Sequence, residues 1–467
     1  MISLVFSSLT FLYIFLPICL VFYFLTNRIK VRNAVLLVFS LLFYAWGEPK
    51  YILLMVATTA VDFFAGLFIE KYRGTKKANL FLTLAVVLTL SSLGVFKYFD
   101  FFAESANSFM HIHIPLLGLS LPIGISFYTF QALTYVVDVY RGKVPVQPYF
   151  YKLLLYVSMF PQLIAGPIVR YNDVCRQLET RSCTFQKAAN GTLRFCVGLL
   201  KKVLIANYAG ELTEKLLGGN LSELTALGAW VGIAAYTLQI YFDFSGYSDM
   251  AIGLGRMFGF RFDENFNYPY AASGITDFWR RWHISLSTWF RDYVYIPLGG
   301  NRVRPARHIL NLFLVWLLTG IWHGANWTFI LWGLIYFLLL MLEKYTPLKR
   351  VPKLFGHLYT LLAVCLCWVL FRAASLSSAL EYLKAMFGAA PLGIWDGNAS
   401  IVLTNGFVYF LLGAILSFPI VPFFAKKPFV QKPVVQYLLA FFQLLVFLLT
   451  IGFILSSSYD PFIYFNF

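Results

Sequence analysis

Long apolar segments separated by short polar loops recur from one end of the chain to the other. A helix that crosses the hydrocarbon core of a bilayer needs about 20 apolar residues, and roughly 18 is a practical minimum. Segments of this kind lie at 5–26, 51–69, 79–95, 224–242, 407–424 and 434–454. The strict alternation of a membrane β-barrel is absent. The pattern therefore predicts an all-α polytopic membrane protein.

The amino-acid composition agrees with a membrane setting. Of the 467 residues, 60% are hydrophobic and only 12% are charged, which is far from the balance of a soluble domain. The first apolar run lacks a basic leading region, because the first charged residue is Arg28, so we expect it to be retained as a helix. No long polar insertion divides the chain. The sequence thus predicts one integral domain over 1–467.

Basic residues outnumber acidic ones, 37 to 21, and the formal net charge is +16. In a soluble protein this excess would suggest nucleic acid as a partner. In a membrane protein it indicates positive-inside topology and contacts with anionic membrane lipids, and we expect no nucleic acid. The basic loops that we assign to the cytoplasm are 28–32, 71–77, 141–143, 302–307, 344–353 and 426–432. Both termini then lie outside, after about 11–13 crossings.

The segment LYVSMFPQLIAGPIVRY, 155–171, does not fit this alternation, because it lies between two basic stretches that must share a side. An apolar run that is broken by proline and glycine, and that enters and leaves by one face, is a re-entrant element. Such backbone is tolerated in a membrane only where it is buried in protein or lines an aqueous cavity. The sequence thus predicts a re-entrant element near a pore, a funnel or a site.

His323 lies within 317–337, a segment without a charged residue. The pattern predicts a helix over 311–322 and a return helix over 327–341. From Arg307 to His323 a helix rises about 24 Å, so we expect the imidazole in the outer half of the membrane or near its middle. Gly324 should end the first helix and, together with Gly320 one turn before, should leave room for something to approach the ring.

An ionisable group inside the membrane is costly and favours a functional hypothesis. The alternative is structural: His323, beside Trp322 and close to Asn326, could hydrogen-bond across a helix interface. A second histidine, His283, favours the functional interpretation.

His283 lies in an amphipathic segment, 277–302, in which arginines alternate with aromatic residues. This mixture is typical of a helix at the cytoplasmic interface. Arginine can bind lipid phosphate or the phosphates of an incoming donor. The candidate donor-binding residues here are Trp282, Arg280, Arg281 and Arg291. Elsewhere in the chain the candidates for contact with substrate or donor are Trp322, Asn326, Asp243 and Asp249. Ordinary interfacial anchoring stays open for the arginines, as does a satisfied interfacial histidine for His283.

Asp243 and Asp249 come at the cytoplasmic end of a predicted span, among glycine and small polar residues. Two carboxylates here could orient a histidine or bind a cation. Gly253 and Gly255 do not form a dinucleotide fingerprint, because the spacing and the surrounding elements are wrong. Close helix packing through small residues is the better interpretation of these glycines.

Four motifs, taken together and in order, resemble the membrane-bound O-acyltransferase family. They are GPIVRYNDV, YFDFSGYSDMAIGLGRMFGF, FWRRWHISLSTWFRDYVYIPLGGNR and LTGIWHGANWTFILWGLIYF. The likeness is to the branch that acylates bacterial polysaccharides, and especially to its alginate O-acetylating members. It extends over nearly the whole chain, including the start MISLVFSSLTFLYIFLPICLVFYFL and the ending DPFIYFNF.

The resemblance implies a helical funnel around a central passage. Peripheral helices would occupy 1–110, a catalytic core 115–345, and C-terminal helices 354–456. It also implies that His323 is the principal catalytic histidine and His283 the second. A hydroxyl that attacks a thioester must lose its proton, and a neutral buried imidazole is a suitable base. Asn326 is a candidate to orient His323.

The implied activity is transfer of an acetyl group from cytoplasmic acetyl-CoA across the bacterial cytoplasmic membrane, for O-acetylation of an extracytoplasmic polysaccharide such as alginate. The transfer would be direct or through a separate extracytoplasmic acyltransferase. The resemblance requires no metal and no permanently bound cofactor.

Two other functions stay open. D-alanyl transfer from a carrier protein to teichoic acid keeps the fold and changes the donor. A channel or secondary transporter is the alternative of another class, because broken helices and intramembrane polar groups also mark transporters. The absence of an inverted repeat between the two halves of the sequence counts against it.

Overall fold

A computed structural model describes residues 4–219, 221–347, 351–389, 392–456 and 462–463. In these residues every regular element is helical and no strand occurs. Within this described part of the chain, seven helices are long and apolar enough to cross a membrane: Ile29–Gly47, Ile52–Lys71, Lys76–Met110, Trp327–Tyr345, Lys353–Arg372, Gly397–Leu416 and Pro433–Leu455. The prediction of an all-α polytopic membrane protein is confirmed. The expected 11–13 crossings, the orientation of the termini and the central passage stay predictions.

Some sequence features fall partly outside the described residues. Of the ending DPFIYFNF only Phe462 and Ile463 are described, and the basic loop 344–353 includes 348–350, which are not.

Residue contacts divide the chain into two compact units. Unit 1 comprises Met1–Cys196 and Tyr247–Asp263, and unit 2 comprises Val197–Gly246 and Glu264–Phe467. A single domain over 1–467, with the three regions expected above, stays a prediction.

Unit 1 contains the first nine helices and most of the tenth. They are α1 (Leu16–Phe24), α2 (Ile29–Gly47), α3 (Ile52–Lys71), α4 (Lys76–Leu93), α5 (Phe99–Met110), α6 (Ile125–Tyr140), α7 (Phe150–Ser158), α8 (Phe160–Leu163), α9 (Tyr171–Glu179) and α10 (Phe185–Leu200). Helices α3, α4 and α6 pack on one another, and α2 packs on α7 and α9. The long helix α12 (Ala226–Met257) contributes to both units.

The segment 155–171 is broken, as its proline and glycine residues predict. Helix α7 ends at Ser158, the one-turn α8 follows, and non-helical backbone leads to α9. Nearly all of its side chains are buried. The Tyr156 hydroxyl donates to the Val169 carbonyl at 2.8 Å, and the Phe160 N–H donates to the Ser40 hydroxyl at 3.2 Å. This burial within protein meets the condition for irregular backbone at membrane depth; re-entrance itself stays a prediction.

Unit 2 contains the remaining helices. They are α11 (Asn207–Leu217), α13 (Ile275–Trp279), α14 (Ile284–Phe290), α15 (Pro305–His323), α16 (Trp327–Tyr345), α17 (Lys353–Arg372), α18 (Leu376–Met386), α19 (Gly397–Leu416), α20 (Ile420–Ala425) and α21 (Pro433–Ser456). The two helices predicted around His323 are confirmed as α15 and α16, although α15 begins earlier and α16 ends later than predicted. Proline fits the first position of α15, because an N–H there would have no partner within the helix.

Helices α15 and α16 pack closely because glycines meet backbone where they cross. A Cβ at Gly320 would come within 2.5 Å of the Phe329 carbonyl oxygen, and one at Gly333 would collide with the Trp316 carbonyl. The expectation that Gly320 and Gly324 leave room beside the His323 ring is therefore wrong, since the backbone of α16 fills the space at Gly320 and the Phe329 ring fills the space at Gly324. A sequence does not reveal whether a small residue faces a ligand or a neighbouring helix. Gly324 does end α15 at His323, as predicted.

Replacing Gly320 by alanine is expected to lower stability by about 1–3 kcal/mol, because the added methyl must displace the backbone of α16. Thermal unfolding of the detergent-solubilised protein measures the effect. Gly452→Ala is the matched control, because a Cβ at Gly452, also within a helix, meets nothing within 4 Å. An unfolding midpoint for Gly320→Ala equal to that of the control would contradict the close packing.

Candidate active site

His323 is the last residue of α15 and is only 4% exposed. Three aromatic rings surround its imidazole edge to face, with centroid distances of 5.1 Å to Trp322, 4.9 Å to Trp332 and 5.2 Å to Phe371. Helices α15, α16 and α17 each supply one of these rings. The side chain is therefore fixed by three helices of the same unit, in surroundings that exclude bulk water.

His283 is fully buried between α13 and α14, where it is the residue that precedes the first turn of α14. Its backbone is left-handed, with φ 44° and ψ 53°, a conformation in which histidine, asparagine and aspartate are enriched among non-glycine residues. The Ile284 N–H donates to the Asn265 carbonyl at 2.9 Å, and the Asn267 N–H donates to the Arg281 carbonyl at 2.9 Å. The irregular segment around Asn265 thereby holds this turn in place.

The hydrogen bonds of Asn265 define the tautomer of His283. Asn265 Oδ1 lies 3.1 Å from His283 Nδ1, 2.8 Å from the Ser285 hydroxyl and 3.2 Å from the Ser285 backbone nitrogen. A backbone N–H can only donate, so the shared atom must be the amide oxygen. His283 Nδ1 must then carry the proton, which makes Nε2 the basic nitrogen of a neutral ring.

Burial also keeps His283 uncharged. The residue lies outside the seven candidate spans, and its burial lowers the pKa of the imidazole from 6.5 to about 3, because an apolar environment penalises the cation. The ring is therefore neutral near pH 7, as a proton acceptor must be.

One indole links the two histidines. The Trp322 ring centroid lies 6.0 Å from that of His283 and 5.1 Å from that of His323. The centroids of the two imidazole rings can therefore be no further apart than the sum of these two distances. Phe244 of α12 also packs against His283, with 4.7 Å between the ring centroids. The structure therefore brings the two predicted histidines and Trp322 into one site within unit 2.

Trp282 is 3% exposed and lies in an aromatic cluster directly beside His283. Its ring is 5.0 Å from that of Trp368 and stacks on that of Phe278 at 5.6 Å. Trp282 thus forms part of the packing that fixes the site, and its predicted contact with a donor stays a prediction.

The three candidate arginines are more accessible than the histidines. Arg281 pairs with Asp277 at 2.9 Å, and Arg291 pairs with Asp292 at 2.8 Å. Arg280 is exposed and forms no ion pair among the described residues. Of the three, Arg280 is the cation that a ligand can engage without displacing a carboxylate.

The two candidate aspartates bind cations that belong to the protein itself. Asp243 is buried and forms an ion pair with buried Lys202 at 2.8 Å, and its other oxygen accepts the Ile463 N–H at 2.7 Å. Asp249 falls in unit 1, where it accepts from Arg194 at 2.9 Å. Since Phe244 follows Asp243 directly, the buried ion pair anchors the wall against which His283 packs.

Asn326 caps α16 and does not reach His323 among the described residues. Its side-chain oxygen accepts the Thr328 N–H at 3.0 Å, and its amide donates to the Ala374 carbonyl at 2.9 Å. Any influence on His323 would therefore act through the start of the return helix. Its predicted orienting role stays a prediction.

Three residues that sequence reasoning did not single out shape the site: Asn265, Lys202 and Glu343. The Glu343 carboxylate, buried near the end of α16, accepts the Thr276 N–H at 2.9 Å and the Thr276 hydroxyl at 2.6 Å, and also the Ile275 N–H. It caps the first turn of α13, the helix that leads to His283. An acidic residue at the end of an apolar span was the signal that could have identified Glu343.

No group of three or more histidine, cysteine, aspartate or glutamate residues is placed to hold a metal ion within the part of the chain that the structure describes. The absence of a required metal stays a prediction.

These observations define a class of protein: an all-helical, multi-pass membrane protein in which two buried histidines lie beside the same indole ring. The family model that describes the membrane-bound O-acyltransferase family matches residues 38–363, well over half of the chain. The chain belongs to the membrane-bound O-acyltransferase family and is an O-acyltransferase.

Several named proteins are similar over most of the chain. The probable alginate O-acetylase AlgI of Pseudomonas aeruginosa is 43% identical, covering 92% of this chain and 83% of its own. The peptidoglycan O-acetyltransferase of Helicobacter pylori is 38% identical, covering 82% and 80%. The teichoic acid D-alanyltransferase of Bacillus subtilis is 28% identical, covering 64% and 80%.

The tautomer of His283 can be observed directly. We expect the ¹⁵N shifts of His283, in protein labelled at histidine, to indicate a neutral ring protonated at Nδ1. Asn265→Ala should give a mixture of tautomers, because the oxygen that accepts the Nδ1 proton is gone. His113→Ala, which removes an exposed histidine, identifies signals that do not belong to the site. An Nε2-protonated ring in the unsubstituted protein would contradict the assignment.

The Lys202–Asp243 pair should behave as a buried ion pair. Lys202→Met is expected to cost about 3–5 kcal/mol, because it leaves a buried carboxylate without its cation, and Lys202→Met with Asp243→Leu should cost less than the single change. Thermal unfolding measures both variants. The exposed Arg291–Asp292 pair provides the control cycle, with an expected coupling below about 1 kcal/mol. If the buried pair and the exposed pair gave the same coupling energy, the distinction between a buried and an exposed ion pair would be refuted.

Proposed function

We propose that the protein transfers an acetyl group from the cytoplasmic thioester acetyl-CoA for O-acetylation of an extracytoplasmic polysaccharide such as alginate. The observation that carries the proposal is the pair of buried imidazoles beside Trp322 in a member of an acyltransferase family. The relatives named for alginate and peptidoglycan O-acetylation, at 43% and 38% identity, support an acetyl group and a glycan acceptor.

His323 acts as the general base in this proposal. Its neutral imidazole takes the proton of the attacking hydroxyl while the hydroxyl oxygen bonds to the carbonyl carbon of the thioester. The carbon–sulfur bond then breaks, and the imidazolium returns the proton to the departing sulfur, so that an ester and a free thiol result. Proton transfer by a positioned side chain is worth roughly 10² to 10⁴ in rate. The aromatic surroundings support this role, because they limit competing hydrolysis by water.

His283 lines the donor side. Its Nδ1 is held by Asn265, so its Nε2 is the nitrogen available to a thioester or to a transferred proton. Arg280 would bind the phosphates of the donor. Arg281 and Arg291 would also bind them if each released the carboxylate with which it pairs. Trp282 and Trp322 would pack against the acyl thioester.

The cellular arrangement follows from the donor and the acceptor. Acetyl-CoA is made in the cytoplasm, and the proposed acceptor lies outside, so the acyl group must cross the bacterial cytoplasmic membrane while its carrier stays behind. A separate extracytoplasmic acyltransferase would pass the group to the polysaccharide, and the first acceptor would then be that partner.

D-alanyl transfer from a carrier protein to teichoic acid is the second candidate. The likeness to a teichoic acid D-alanyltransferase supports it, but at 28% identity over a smaller part of the chain. The channel or transporter alternative is set aside, because the chain belongs to an acyltransferase family.

Replacing His323 by alanine is expected to reduce acyl transfer at least 10²-fold by removing the base. Thiol release from acetyl-CoA by the purified protein, and acetylation of exopolysaccharide in cells, measure the effect. His113→Ala is the matched control, because it removes an exposed histidine outside the site. Unfolding midpoints of both variants exclude a loss of fold.

Three outcomes distinguish the candidates. Full activity in a folded His323→Ala variant would remove the catalytic role of His323. Absence of thiol release from acetyl-CoA, together with release of D-alanine from a loaded carrier protein, would replace the acetyl donor by a D-alanyl donor. Absence of release from both would overturn the proposed donors.

A further inference from the structure

A second site lies in unit 1, at the predicted cytoplasmic face. We propose that the cavity between α2, α7 and α9 binds the phosphate of an anionic phospholipid headgroup. The cavity has a volume of about 440 Å³ and is lined by Arg28, Ile29, Lys30, Val31, Asn33, Lys152, Leu178 and Glu179. The proposal is independent of the acyl-transfer chemistry, because none of these residues belongs to the site around the histidines.

Polar contacts join the helices that line the cavity. Lys152 is 4% exposed, and its ammonium group lies 2.6 Å from each oxygen of Glu179 and over the Tyr149 ring. Asn33, fully buried, donates to the Leu178 carbonyl at 2.8 Å and accepts from Arg181 at 2.7 Å. These contacts join α9 to both α7 and α2, so the cavity is a formed feature of the fold.

The charge of the cavity favours an anion. Lys152 and Glu179 neutralise each other, whereas Arg28 and Lys30 are exposed and form no ion pair among the described residues. The first turn of α2 lines the same cavity; the Val31 N–H donates to the Arg28 carbonyl at 3.0 Å, and the N–H groups of Ile29 and Lys30 have no partner within the helix. Two cations and a helix N-terminus together suit a phosphate group.

An apolar surface continues from the cavity and favours a lipid over a water-soluble phosphate. Val31 lines the cavity and is 44% exposed, and Val38 and Leu42, each 54% exposed, follow along the same face of α2. At the end of α1, Phe22 and Leu25 are likewise exposed. In a bilayer these side chains face acyl chains, so a headgroup in the cavity places its tails on an apolar stripe.

The predicted topology agrees with this assignment. Residues 28–32 form one of the short basic loops that the positive-inside rule assigns to the cytoplasm. Basic pockets between transmembrane helices on this side are suited to anionic headgroups.

Native mass spectrometry of the full chain in detergent, titrated with phosphatidylglycerol or with phosphatidylcholine of the same acyl chains, tests the proposal. We expect tighter binding of phosphatidylglycerol. Arg28→Gln with Lys30→Gln should weaken its binding roughly 30-fold, at about fivefold per cation, and leave phosphatidylcholine binding unchanged. Arg28→Lys with Lys30→Arg should retain the preference.

Lys76→Gln with Lys77→Gln is the matched control. It removes two positive charges from another short basic loop that lies outside the cavity, and it should change phosphatidylglycerol binding by less than about twofold. Equal binding of the two lipids by the unsubstituted protein, or equal losses in the two double variants, would overturn the proposal.

A competition arm separates the lipid from a soluble source of phosphate. Inorganic phosphate and coenzyme A, each added at excess, should not displace phosphatidylglycerol, because neither has acyl chains to occupy the stripe on α2. Displacement by coenzyme A, with a matching loss of coenzyme A binding in Arg28→Gln with Lys30→Gln, would reassign the cavity to the acyl donor and overturn the lipid assignment.

Discussion

The close approach of α15 and α16 is the constraint on which the rest of unit 2 depends. Gly320 and Gly333 lie against the backbone of the neighbouring helix rather than against side chains. This close contact fixes how the two helices are aligned along each other. That alignment places Trp332 against the His323 ring and sets Glu343, further along α16, at the first turn of α13. One helix therefore determines both the surroundings of His323 and the direction from which the chain reaches His283.

The sequence predicted the parts of this arrangement that are local. Hydrophobic periodicity located α15 and α16, and Gly324 located the end of the first helix at His323. The amphipathic character of 277–302 predicted an interfacial helix, whereas the structure has two short helices, α13 and α14, with His283 in the turn between them. The sequence did not indicate that His283 itself is fully buried, because burial depends on Phe244 and Trp322, which come from helices distant in the sequence.

The features of the site that the sequence did not predict depend on contacts between residues that are distant in the sequence. Asn265 comes 18 positions before His283, and its hydrogen bonds arise from how one irregular segment returns alongside another. Asp243 was noticed as a carboxylate that could bind a cation, but Lys202, which supplies the cation, gave no separate signal. Gly320 was misinterpreted for a related reason, since a missing side chain looks the same whether a ligand or a helix fills the gap.

The left-handed backbone of His283 restricts which amino acid can occupy that position. Such a torsion typically costs a non-glycine residue about 1–3 kcal/mol, and the residue types that adopt it most readily are glycine, asparagine, aspartate and histidine. Of these four, only histidine carries a nitrogen that accepts a proton near neutrality. Position 283 must therefore meet two requirements, a left-handed backbone and a basic side chain. A substitution that keeps one of them loses the other.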